Sequence, residues 1–187
     1  MRERLTKLIM LSLFVAIGVI ISPILRIEGM CPTAHLVNIV CAVFLGPFYA
    51  FACAFSIGII RMLLMGIPPL ALTGAVFGAF LSGILYRASK GKLLFAVLGE
   101  IFGTGIIGSI LSYPVMAFLW GYGDITLFYY TPMFLGATLM GGASAYILLK
   151  IFAANGTLIK IQQKLGGKTF EKQTRPDSLF GNRPSQR

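Results

Sequence analysis

Pro32-Thr-Ala-His-Leu-Val-Asn-Ile-Val-Cys-Ala-Val-Phe-Leu-Gly46 sets the only histidine of the chain, His35, and an asparagine, Asn38, into otherwise unbroken apolar sequence. The stretch is too short to cross a bilayer as an ordinary straight helix, and it lies between two long apolar segments. It therefore reads as a short or strongly inclined helix with its polar residues at the outer end. Everything else in the chain is organised around it.

Of the 187 residues 57% are hydrophobic and only 12% charged, with a mean hydropathy of +0.85. A soluble domain carries nearer about 25% charged residues, so the composition is that of an integral membrane protein. Long uncharged runs recur from Leu5 to the region of Phe152. Lipid offers no partner to free backbone groups, so such runs are helices or a closed barrel. A barrel would alternate polar and apolar residues; these runs do not, and an all-α bundle of six transmembrane helices is expected.

The net charge of +10 does not require nucleic acid, because the basic residues gather at helix ends and in the tail. Arg2, Arg4 and Lys7 precede the first helix; Arg87, Lys90 and Lys92 share one loop; Lys150, Lys160, Lys164 and Lys168 follow or close the last. The opposite connections hold only Arg26 and Arg61, offset by Glu28 and Asp124. The positive-inside rule then places both termini in the cytoplasm. The charged start resembles that of a signal peptide, but its apolar run is longer than a typical h-region and no clean small-residue cleavage site follows, so it is read as a membrane helix.

In chain order, helix one is expected over Leu5 to Ile21, ended by Ser22-Pro23. Ser12 and Ala16 lie one turn apart on it, a face that lets another helix approach closely, whether a partner's or one of its own bundle. The loop from Leu25 to Thr33, with Arg26 and Glu28, has the place of a lid. Helix two is the opening stretch, and helix three runs from Phe48 to Leu64 with Arg61 near its outer end. Gly66-Ile-Pro-Pro-Leu70 breaks the chain, and helix four continues to Tyr86. Helix five is expected from Leu93 to Leu111, open to continuation past Pro114, and helix six from Thr131 to Ala153. Residues 1–155 thus form the membrane domain. The stretch 156–165, with Leu158 to Leu165 amphipathic, is expected at the membrane surface, and 166–187 as a disordered basic tail.

Glu100 is the only acid inside an apolar segment. Its burial costs about 2.5 kcal/mol or more, so it must face the bundle interior, be paired or be protonated, either as part of a ligand or transport site or as an interhelical hydrogen-bonding group. Tyr113, Trp120, Tyr122, Tyr129 and Tyr130 cluster around Asp124 at the end of helix five, fit for interfacial anchoring or for stacking against a ring-shaped ligand. Gly103, Gly105 and Gly108 match a dinucleotide fingerprint, but no strand precedes them and apolar sequence continues on both sides. Gly167-Lys168-Thr169 resembles the end of a phosphate-binding loop, yet Gln162 stands where its first glycine would fall. The chain is expected to carry no nucleotide site. Cys31, Cys41 and Cys53 lack metal spacing and form no even disulfide set, so they read as small buried hydrophobes. One histidine rules out a multi-histidine metal site and no Gly-x-Ser-x-Gly elbow occurs, so a catalytic triad is disfavoured. No cofactor is implied.

Ser12 and Ala16, the run Pro32 to Asn38, Leu45-Gly-Pro-Phe-Tyr49 and Arg61-Met-Leu-Leu-Met-Gly-Ile-Pro-Pro69, set in six helices over about residues 5–155, resemble the substrate-binding S components of energy-coupling factor transporters. Within that class the resemblance is to the ThiW family, assigned to uptake of the thiazole precursor of thiamine. It implies a multi-pass protein of a prokaryotic cell membrane that binds its vitamin precursor outside and reorients to release it inside. The partners implied are a transmembrane coupling protein (EcfT) and two ATPase subunits, with no catalysis in this chain. Ser12 stands where the class has the first alanine of a docking motif completed by Ala16. For substrate the resemblance implies the region of Arg61 and the outer ends of helices four to six. His35 and Asn38 are ranked first among the candidates, with Arg61, Glu100, Tyr113, Trp120, Tyr129 and Tyr130 beside them. Another vitamin or a pyrimidine precursor is the alternative substrate. A small channel or an intramembrane enzyme is the alternative class.

Overall fold

The computed structural model describes residues 2–24, 30–122 and 125–166. The lid expected around Arg26 and Glu28, Asp124 and the basic tail beyond Gly166 lie outside the described residues.

Among the described residues the chain forms seven helices: α1 (Arg2–Ile24), α2 (Pro32–Leu45), α3 (Pro47–Met65), α4 (Leu70–Ala88), α5 (Leu93–Leu119), α6 (Thr131–Ala154) and α7 (Thr157–Lys164). Five of them, α1, α3, α4, α5 and α6, are long and apolar enough to cross a membrane. The short α2 is not one of these. Its 14 residues rise only about 21 Å at 1.5 Å each, against a hydrocarbon core of about 30 Å.

That shortness goes with centrality. α2 packs against every other helix of the bundle, and eleven of its fourteen residues are buried. A helix enclosed on all sides must be apolar all round, which is why its sequence lacks a polar stripe and why His35 and Asn38 need internal partners. Large apolar side chains such as Leu13, Phe48, Phe55, Leu63 and Ile147 point outward from the surrounding helices, the inverse of a soluble domain. Cys41 and Cys53 are fully buried free thiols in the core.

Two helices run further than their prolines suggest. α1 extends to Ile24 through Pro23, since a proline in the last turn removes only a terminal hydrogen bond. α5 continues through Pro114 to Leu119, with wider π-type turns at Ile101–Gly108 and Val115–Leu119. Such local widening is one way a membrane helix accommodates a proline. Gly46 makes the turn between α2 and α3 at φ 91°, a left-handed conformation suited to glycine.

The glycines that imitate a nucleotide fingerprint are packing positions. A Cβ on Gly103 would lie 2.5 Å from the Cα of Gly78, so α4 and α5 meet backbone to backbone. Gly108 faces Gly74 in the same seam, while Gly105 faces Leu135 and Thr138 of α6. At the other end of α2, the amphipathic α7 tucks in Leu158 and Gln162. The Gln162 amide donates to the Val43 carbonyl and to the Tyr86 hydroxyl, both at 3.0 Å. It thereby supplies a partner to one of the last four carbonyls of α2, which the helix itself cannot satisfy.

Candidate functional site

The polar residues of α2 meet those of α5 in the middle of the bundle. His35 and Asn38 are three residues apart and so share one helix face, turned toward Glu100. Glu100 is fully buried. Its Oε1 lies 2.8 Å from His35 Nδ1 and accepts hydrogen bonds from Asn38 Nδ2 at 3.1 Å and Thr104 Oγ1 at 3.4 Å. Asn38 also donates to the Ala75 carbonyl at 3.4 Å, tying α4 into the same network. The contact between His35 and Glu100 gives each of these two buried groups a polar partner, which lowers the cost of holding them away from water. Glu100 Oε2 has no hydrogen-bond partner.

Above this network, at the end of the bundle where α2 begins, lies a cavity of about 130 Å³. Cys31, Ala34 and His35 form its α2 side, Arg61 its α3 side, and Ile67 and Pro68 its rim; Leu70, Ala71, Gly74 and Ala75 come from α4, Thr104 from α5, and Phe134 and Ala137 from α6. An apolar cavity of about 150 Å³ is enough for benzene, so the space is of single-ring size. Its walls offer the Phe134 ring and the Pro68 edge for apolar contact. The Thr104 hydroxyl, the His35 ring and the Arg61 guanidinium supply the polar groups. Few polar groups converging on an apolar cleft is the usual make-up of a small-molecule site.

Arg61 is 6% exposed, and its Nε–H finds no hydrogen-bond partner among the described residues. Phe134 lies against Gly74, where a Cβ would come within 2.7 Å of its ring. The missing side chain at Gly74 therefore sets the depth of the ring.

Of the residues expected in a binding site, His35 and Arg61 line the cavity, while Asn38 and Glu100 stand directly behind it. The expected aromatic group does not line it. Tyr130 is buried, with its ring 5.1 Å from Tyr129 and 6.2 Å from Phe134, and so backs a wall residue. Trp120 and Tyr129 are about half exposed, and Tyr113 is half-buried. Thr104 and Phe134 were not singled out from sequence. Thr104 had a signal, since it sits four residues after Glu100 on one helix face; Phe134 is one of fifteen phenylalanines with nothing to mark it. Among the described residues no group of three or more His, Cys, Asp or Glu side chains is placed to hold a metal.

Ser12 and Ala16 lie elsewhere, in an open groove of about 570 Å³ between α1 and α3, lined also by Leu11, Val15, Val19, Ile20, Ser56 and Ile60. The Ser12 hydroxyl donates to the Leu8 carbonyl of its own helix at 3.0 Å, so the groove floor is in effect apolar.

Several bilayer-length apolar helices around a small internal cavity are the make-up of a multi-pass membrane protein. No curated protein and no solved structure matches the chain. Residues 8–155 match the family described as Thiamine-precursor transporter protein (ThiW). The chain belongs to the ThiW family and is a component of a thiamine-precursor transporter.

Proposed function

We propose that the chain is the substrate-binding S component of an energy-coupling factor importer and that its ligand is hydroxyethyl-thiazole. The observation that carries this reading is the single-ring cavity, with its Phe134 wall and the Thr104, His35 and Arg61 polar groups. A hydroxyethyl-thiazole is a flat ring with one acceptor nitrogen and one hydroxyl. It needs ring contact and one or two hydrogen bonds, without an ion pair. His35 and Asn38 act together with Glu100 and Thr104 as the floor beneath the ring. Tyr130 supports Phe134, while Trp120, Tyr113 and Tyr129 fit the membrane interface. A cationic pyrimidine would call on Glu100 as counter-ion, but Glu100 stands behind His35 and Thr104 and does not itself line the cavity.

In this reading α2 completes a six-helix bundle in a prokaryotic cell membrane with both termini cytoplasmic, as the distribution of Lys and Arg supports. The cavity opens outward. The apolar groove at Ser12 and Ala16 is the docking face for the transmembrane coupling protein, whose two ATPase subunits supply the energy. This chain itself catalyses nothing. The decisive experiment is ligand binding by the purified protein, with hydroxyethyl-thiazole compared with thiamine and with the pyrimidine precursor. Tight binding of the thiazole alone is expected; preference for either competitor refutes the assignment.

A further inference from the structure

The wall of the cavity carries a permanently charged side chain, Arg61. Arg61 is more than nine-tenths buried, lines the cavity, and leaves its Nε–H without a partner among the described residues. Among the described residues no ion pair engages it, and the acid–base pair of the bundle is His35–Glu100. A guanidinium is a permanent cation, and leaving one buried and unpaired is costly unless something else accepts its hydrogen bonds. Glu100 does not offset it at the wall. Its carboxyl group lies behind His35 and Thr104, which line the cavity while Glu100 does not.

The geometry points to Arg61 as the residue that sets the charge class of the ligand: the cavity takes a neutral or anionic heteroaromatic ring with a free acceptor atom and rejects a ring bearing a fixed positive charge. This rests on the reading of the cavity as a thiazole site and sharpens it. A neutral thiazole has a lone pair on its ring nitrogen and a hydroxyl oxygen, either of which can accept from the Arg61 Nε–H. N-alkylation to a thiazolium removes the ring-nitrogen lone pair, leaving only the hydroxyl as acceptor, and it sets a like charge beside the guanidinium in a partly desolvated space. The ring nitrogen that is free in the precursor is alkylated in thiamine. The site thus separates precursor from finished vitamin by charge as well as by size.

The test uses three single-ring probes of similar size on the purified full-length protein by calorimetry: hydroxyethyl-thiazole, its N-methyl thiazolium salt, and thiazole carboxylate. The wild type should bind the cation at least about 100-fold more weakly than the neutral ring, and the anion no more weakly than the cation. Arg61→Gln keeps N–H donors and removes the charge, so the neutral-to-cation ratio should fall below about tenfold. Arg61→Lys keeps the charge and should keep the ratio.

A wild type that binds the cation within about threefold of the neutral ring, or an Arg61→Gln protein with the ratio unchanged, overturns the inference. The wild-type comparison decides even if a variant fails to fold. Equal binding of neutral and cationic rings sinks the charge rule and leaves the thiazole reading. Binding of the carboxylate without the hydroxyethyl-thiazole sinks that reading and leaves the charge rule. Binding of none of the three overturns both.

Discussion

Replacing Glu100 by alanine removes the shared partner in three hydrogen bonds, with His35 at 2.8 Å, Asn38 at 3.1 Å and Thr104 at 3.4 Å. Side-chain hydrogen bonds inside membrane bundles average about 0.6 kcal/mol each, so their loss alone gives about 2 kcal/mol. More comes from what is left behind. His35 and Asn38 stay buried with donors facing a void, and stranding one member of a buried pair costs about 3–5 kcal/mol; Glu100→Ala should fall in that range. His35→Ala leaves Glu100 with Asn38 and Thr104 still donating and should cost less, about 2–3 kcal/mol. Because both substitutions delete the same 2.8 Å contact, the double variant should be destabilised by less than the sum, with a coupling of about 1–3 kcal/mol. The assay is reversible unfolding of the four proteins of the cycle in mixed micelles. Additivity to within about 0.5 kcal/mol would refute the claim that His35 and Glu100 act as one unit.

Gly103→Val should destabilise the bundle by about 3 kcal/mol, read as a lowered unfolding midpoint, because its Cβ would meet backbone atoms of Phe77 and Gly78 at 2.6 and 2.5 Å. Gly74→Ala should push the Phe134 ring toward the cavity and weaken thiazole binding by about tenfold, measured by calorimetry. Ser12→Leu or Ala16→Leu fills the α1–α3 groove far from the cavity; ligand affinity should be unchanged while uptake in cells carrying the coupling module is lost. Gln162→Leu strips the Val43 carbonyl of its donor and should cost about 1–3 kcal/mol in thermal unfolding without altering ligand affinity.

The central helix was legible because polarity inside an apolar run is a strong signal: His35 and Asn38 could not face lipid, and Glu100 could face neither lipid nor a charge-free core. Their mutual contact was not legible. His35 and Glu100 are 65 residues apart, and a sequence gives the face of each helix without the rotation of one against another. The same gap explains the aromatic residues. Tyr113, Trp120, Tyr129 and Tyr130 suit both an interface and a ring pocket, and only the course of the chain after α5 decides which ring comes near the cavity. Phe134 has that place because α6 sets it over Gly74. The extension of α5 past Pro114, which the sequence left open, is decided for a local reason. Proline ends most helices in water, but in lipid the chain keeps its helix and widens its turns, since an open break would expose carbonyls without partners.

The short central helix also divides the labour within the bundle. Because α2 is enclosed on every side, its polar end can meet the acid of α5 without exposing either to lipid, and the Glu100 network joins α2 and α5, while Asn38 reaches α4 as well. A floor tied across three helices is rigid before any ligand arrives, so binding incurs little further ordering cost there. Arg61 differs in kind. It approaches the same cavity from α3 as a permanent cation whose Nε–H has no partner among the described residues, so in the proposed site the gain from a ligand's acceptor atom falls at that wall. Affinity should therefore respond to Arg61 more steeply than to Asn38, whose donors are already satisfied by Glu100 and Ala75.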